Sequence, residues 1–236
     1  MSHADEQTQP RAALDALLIP GTDDDVRTLY QALAEAARDA TLSLMEDDVI
    51  VVDTETTGLD PAYCSLIEIA ALRMNGPDIV GRFQTFVNPG CSIPEEITEL
   101  TGITNADIAD APSPREAVAA FAQFAGECDL IAHNAPFDLR VLASCLHDYH
   151  IDWQPEAAYL CTCQMGKRAY PYLPNHKLNT LCDHLQLSLD HHKAGSDSRA
   201  CALLLLNYLE KGLQPEAFLR TYRFADRKTI PYCGCR

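Results

Sequence analysis

The sequence predicts an α/β fold: a mixed five-stranded sheet, with three antiparallel strands and then parallel ones, covered by helices on both faces. Three observations predict it. Val49-Ile50-Val51-Val52 is a continuous apolar run, as expected of a central strand buried on both sides. Two more strand-like runs follow without an intervening helix. Beyond them, short apolar runs alternate with helical segments, the pattern of strands joined by helical crossovers.

Residues 1–24 are polar and run into Asp23-Asp24-Asp25, acids that favour a helix N-terminus. Val26, Leu29, Tyr30, Leu33, Ala37 and Leu44 then recur near helical spacing, so 25–46 is predicted as an amphipathic helix. It forms an N-terminal extension, 1–47, whose expected job is packing rather than chemistry. Leu66–Met74 and Ile79–Val87 are predicted strands joined by the turn signal Asn75-Gly76-Pro77, making a three-stranded antiparallel meander with Val49–Val52. Pro94–Leu100 and Ala106–Ala109 read as short helical turns. Pro114–Ala125 is a helix opened by Ser113 and Glu116, a capping-box pair. Leu130-Ile131-Ala132 is a short strand, Phe137 to about His150 a helix, and Ala157–Leu160 a fifth strand. Helices are predicted at 161–169, 177–187, 196–211 and 214–225. The main domain spans 48–212, and 213–236 is a C-terminal helix with a short basic tail.

Thirty-four acids oppose 18 bases, a formal net charge of −16 over 236 residues. Phosphates repel such a chain, so coating nucleic acid by bulk electrostatics is disfavoured. An enzyme that meets nucleic acid through bound cations is not. The balance is also uneven. Residues 160–236 carry 11 bases against 6 acids, and such asymmetry fits a phosphate-facing side and an ordinary solvated surface equally.

Ten cysteines invite a disulfide framework, but the N-terminus shows no secretory pattern and a chain this long needs no staples. Most of the cysteines lie singly in apolar segments, as small hydrophobes do. The pairs Cys161/Cys163 and Cys233/Cys235 could together hold zinc, although their one-residue spacing is shorter than usual. No apolar run reaches the roughly 18 residues of a membrane span. A cytoplasmic protein with no membrane partner is expected.

Three stretches carry chemistry. Asp53-Thr54-Glu55-Thr56-Thr57-Gly58-Leu59 follows the first strand. Residues two apart on a strand share a face, so Asp53 and Glu55 point the same way. Paired acids at the end of a core strand repel each other unless a divalent cation lies between them. The Thr-Thr-Gly that follows can turn and offer backbone amides to a ligand. The second stretch, His133-Asn134-Ala135-Pro136-Phe137-Asp138, also leaves a strand and opens a helix. Alone, Asp138 reads as an acid complementing the helix dipole. The third, His191-His192-Lys193-Ala194-Gly195-Ser196-Asp197, places Asp197 in the first turn of a helix and His192 in the loop before it. Alone, His192 reads as an exposed loop histidine, but beside a metal-bound water a histidine suits a general base, since its ordinary pKa is about 6.5. Four carboxylates from three separated segments, with a loop histidine, form the inventory of a two-metal site.

These motifs resemble those of the DnaQ-like 3′–5′ exonucleases of the DEDDh class, which includes the proofreading subunit of bacterial DNA polymerase III. The D-x-E, the N-x-x-F-D-type Asp and the H-x-x-x-x-D occur in order as Asp53/Glu55, Asp138 and His192/Asp197. The resemblance spans about 48–210 and includes Asn88-Pro89-Gly90, Ile93-Pro94, Leu100-Thr101-Gly102-Ile103-Thr104 and Lys177-Leu178. Cys161 and Asn179 depart from the pattern, but neither is a metal ligand.

The resemblance implies an RNase H-like fold and two Mg²⁺ or Mn²⁺ ions on Asp53, Glu55, Asp138 and Asp197. His192 would be the base, and the products nucleoside 5′-monophosphates. It implies that Thr56, Gly58 and Leu59 seat the terminal nucleotide, with Asn134 as a further contact. Leu100 or Ile103 would wedge beside the terminal base, or either would be core. DNA with a single-stranded 3′ end is the expected substrate and RNA 3′ ends the alternative, since the 2′-OH preference depends on pocket shape. A polymerase or another replication or repair protein is the expected partner class. An idle binding module would be expected to lack a ligand, and all five key residues are present. Gln186-Leu187-Ser188-Leu189 resembles a sliding-clamp peptide but sits where an apolar core segment belongs.

Overall fold

A computed structural model describes residues 48–75 and 78–224. The predicted helix 25–46, part of the Asn75-Gly76-Pro77 turn and the Cys233/Cys235 pair lie outside the described residues.

The elements are β1 (Val49–Thr56), β2 (Leu66–Asn75), β3 (Asp78–Phe86), α1 (Glu95–Thr101), α2 (Pro114–Ala125), β4 (Asp129–Ala132), α3 (Pro136–Asp148), β5 (Glu156–Cys161), α4 (Thr162–Ala169), α5 (Leu178–Leu185), α6 (Ala194–Glu210) and β6 (Arg220–Arg223). They form one mixed sheet in the order β3-β2-β1-β4-β5-β6. The β3-β2-β1 portion is antiparallel, β1-β4-β5 is parallel, and β6 returns antiparallel on β5.

The continuous apolar run of β1 has a simple cause: its two faces meet two different helix layers. Ile50 and Val52 pack with Val118 and Phe121 of α2 and Leu139 and Leu142 of α3. Val49 and Val51 pack with α4, α5 and α6 through residues such as Met165, Leu181 and Leu204. Gly166 lets α4 lie close on α6, because a Cβ there would stand 2.8 Å from the Tyr208 hydroxyl. A smaller cluster, Ile67, Ile93, Ile97, Ile103 and Ile108, fastens α1 beside β2.

Three expectations need correction. Among the described residues the sheet has six strands, and no helix spans 214–224. A single 3-10 turn at Pro215–Ala217 leads into β6, whose Tyr222 is buried against the core. Cys163 is disulfide-bonded, which departs from the expectation of no disulfide and leaves it no thiolate for zinc. The other seven described cysteines are free. Leu187 packs against the α5/α6 core, so the clamp-like peptide is part of the domain's packing. Among the described residues, no helix is long and apolar enough to cross a membrane.

Candidate active site

The site forms where β1 ends. Strand alternation sends Asp53 and Glu55 to the same face as Val49 and Val51, towards α6. There they meet Asp197 in the first turn of α6. One carboxylate oxygen from each of Asp53, Glu55 and Asp197 lies within 4.8 Å of the other two. The intervening residue, Thr54, faces the opposite side, towards α3. Its amide and its hydroxyl both donate to Asp138 Oδ1, at 3.0 and 2.7 Å. Asp138 thus enters from the other helix layer, and it is not part of the three-carboxylate group.

Glu55, Asp138 and Asp197 are 8%, 3% and 4% exposed, an arrangement that costs stability for like charges. Burial, then the neighbouring Asp197, Glu68 and Asp138, pushes the Glu55 carboxyl up to about 8. Burial raises Asp138 to about 7, against the lowering effect of the Thr54 hydrogen bonds. Asp53 is also pushed well up, by burial first and then by Asp138, Asp197, Glu55 and Glu68.

Asp197 Oδ2 accepts from the His192 backbone amide at 3.1 Å and contacts His191 Nδ1 at 3.0 Å. Its Oδ1 is buried with no hydrogen-bond partner. An orphaned oxygen on a carboxylate that clusters with two more acids fits a hard divalent cation, which takes oxygen donors. The two histidines stack at 3.8 Å between centroids. His192 has φ +65, a left-handed conformation uncommon outside glycine, and its Nδ1 lies 4.0 Å from Glu55 Oε1. The spacing argument selected His192 alone, yet it is the His191 ring that touches Asp197. Burial, then His191, lowers the His192 pKa below its ordinary 6.5, despite the raising effect of Asp197.

The loop after β1 is tightly pinned. Thr56 Oγ1 donates to the Gly58 carbonyl at 2.6 Å, and the Thr57 amide donates to the Ser65 carbonyl at 2.8 Å. Leu59 is left 75% exposed beside the site. Asn134 adopts φ +62 where β4 turns into α3, and its carbonyl accepts from the Phe137 amide. Of the two wedge candidates, Ile103 is buried core and Leu100 is exposed. Sequence reasoning missed two residues, Thr54 and Glu68. Glu68 was the more visible of them, an acid inside the otherwise apolar Leu66-Ile67-Glu68-Ile69-Ala70-Ala71-Leu72.

The model of a family described as exonuclease matches residues 50–205, two thirds of the chain and every residue of the acidic cluster. The chain belongs to the exonuclease family. This exonuclease domain is 36% identical over 197 residues to the DNA polymerase III PolC-type of Bacillus subtilis (strain 168), a match covering 81% of the chain. It is 38% identical over 161 residues to the PolC-type polymerase of Clostridium perfringens (strain 13 / Type A), covering 68%. The match takes in only 13% and 11% of those relatives' own lengths. Among solved structures the domain resembles exonuclease X in complex with 5′-overhanging duplex DNA, with TM-score 0.58 and 25% identity. That match covers 72% of this chain and 96% of the other. E. coli exonuclease I with a dT13 oligonucleotide superposes with TM-score 0.63 at 19% identity, over 73% of this chain and 42% of the other, a likeness of fold.

Proposed function

We propose that this chain is a metal-dependent 3′–5′ exonuclease that removes nucleotides from single-stranded DNA 3′ ends. The observation that carries the reading is the meeting of Asp53, Glu55 and Asp197, the last with one buried carboxylate oxygen that has no hydrogen-bond partner. The choice of DNA is supported by relatives named as DNA polymerases and by the DNA held by exonuclease X. In this reading residues 48–212 form the catalytic domain, with β6 added to its sheet edge.

Asp53, Glu55, Asp138 and Asp197 would hold two divalent cations, Mg²⁺ or Mn²⁺. When bound, these supply Lewis acidity that makes a water nucleophilic at neutral pH and stabilises the departing 3′ oxygen. The remaining work belongs to the chain. His192, kept neutral near pH 7 by its lowered pKa, takes the proton from the attacking water. Asp197 fixes the His192 backbone while His191 buttresses the ring by stacking. Thr54 holds the Asp138 carboxylate in one orientation. Thr56, Gly58 and Leu59 seat the terminal nucleotide on the pinned loop, and Asn134 supplies a further polar contact. In-line attack on the last phosphodiester breaks its bond to the 3′ oxygen, giving a nucleoside 5′-monophosphate and a strand shorter by one. A polymerase or other replication or repair protein is the partner class suggested by the PolC relatives.

A 5′-labelled single-stranded DNA oligonucleotide with Mn²⁺ tests the polarity. A ladder shortening from the 3′ end, with 5′-monophosphates released, is expected. Internal cuts, or loss of the 5′ label as a mononucleotide, would sink the assignment. A matched RNA oligonucleotide digested faster than the DNA would move the substrate to RNA.

A further inference from the structure

Glu68 lies in the middle of β2, 4% exposed, directly across from Glu55 in the β1–β2 ladder. It adds negative charge to an already repulsive cluster and pushes the Glu55 and Asp53 carboxyls up. A buried acid in that place needs a compensating role. Its two oxygens are both engaged. Oε1 accepts from Gln84 Nε2 of β3 at 2.8 Å, and Oε2 accepts from the Ala194 backbone amide at 3.3 Å.

Ala194 is the first residue of α6, and its amide is one of the N-terminal donors that a helix cannot satisfy internally. The N-cap residue, Lys193, makes no side-chain cap bond. Glu68, 126 positions away in sequence, provides an acceptor in its place, with a charge that suits the positive end of the helix. Gln84 closes the brace from the other side. A Cβ on Gly195 would stand 3.0 Å from Gln84 Oε1, so the α6 backbone lies flush on that amide. The turn held this way is the one that carries Asp197, and the loop entering it carries His192.

We propose that Glu68 is a positioning residue: through the Ala194 amide it fixes the first turn of α6, and with it the placement of Asp197 and His192 relative to Asp53 and Glu55. The proposal rests on the exonuclease reading for its consequence in turnover, but its structural half is independent of it.

The test compares Glu68→Leu with Glu68→Gln in the full chain. The amide replacement still offers an oxygen to Ala194 N–H, and Gln84 can turn its own amide to accept from the new NH₂. Three quantities are read: hydrogen exchange at the Ala194 amide without metal, the Mn²⁺ dissociation constant by calorimetry, and kcat with KM on single-stranded DNA. For Glu68→Leu, exchange at Ala194 should quicken at least about tenfold, Mn²⁺ binding weaken at least about tenfold, and kcat fall at least about thirtyfold with KM little changed. Glu68→Gln should restore most of all three. Should Glu68→Leu fail to fold, Gln84→Ala serves, with a smaller loss of the same kind. Unchanged exchange and Mn²⁺ affinity in Glu68→Leu would overturn the proposal. So would a Glu68→Gln variant as damaged as Glu68→Leu, since that would assign the effect to charge. An inactive wild type that still shows the exchange and Mn²⁺ effects would reject the exonuclease reading and leave the brace intact.

Discussion

Burial and the surrounding acids hold the Glu55 carboxyl up to about 8, against an ordinary 4.5. A folded-state pKa above the unfolded value means that the folded protein binds the proton more tightly. Metal-free protein should therefore lose stability as pH rises from about 4.5 through about 8, and added Mn²⁺ should raise Tm more at pH 8 than at pH 5. Melting curves with and without chelator check this, and a chelated protein more stable at pH 8 than at pH 5 would contradict it. Asp53→Asn removes one repelling charge. It should abolish turnover yet raise the metal-free Tm at pH 8, by about 2–4 °C for each kcal/mol of relieved repulsion. A Tm that falls instead would mean that Asp53 stabilises the fold. His192→Ala should lower kcat by about 10²–10⁴. His191→Ala should cost less, since its ring supports Asp197 and stacks on His192, whereas it is His192 whose Nδ1 lies 4.0 Å from Glu55 Oε1. Single-turnover rates that fall equally for both variants would remove the distinction drawn between the two rings.

At the level of elements, β1 was readable because both of its faces are buried and because its acids sit one period apart. α2 was readable because its start is chemically explicit. Ser113 and Glu116 exchange side-chain and backbone hydrogen bonds in a capping box. Ser113→Ala should cost about 1 kcal/mol of stability and leave turnover per folded molecule unchanged, measured by urea unfolding beside steady-state kinetics. β6 was not readable. Pro215 suits a helix start, and Leu213, Phe218, Leu219 and Tyr222 recur near helical spacing. Four residues with only Tyr222 buried carry too little alternation to announce a strand, and what decides the matter is pairing with β5 some sixty positions earlier. Thr54 and Glu68 were hidden for the same reason. Their roles depend on α3 and α6, which the chain brings to them only on folding.

On the scale of the whole molecule, the acidity of the chain becomes intelligible once part of it is concentrated in one place. Asp53, Glu55 and Asp197 converge from β1 and α6, Asp138 comes in behind Thr54, and the fold of a known exonuclease family surrounds them. The three motifs were legible in the sequence as an ordered set. What was not legible was that Asp138 enters from the opposite helix layer, or that His191 shares the work around Asp197. The central claim is that this cluster performs metal-dependent hydrolysis at a DNA 3′ end. The most direct measurement is the single-turnover rate of 3′-terminal hydrolysis on single-stranded DNA with Mn²⁺, repeated with excess chelator and with Asp197→Ala. The expected result is a wild-type rate that falls by at least about 10³ under either change. Hydrolysis that survives both would contradict the claim.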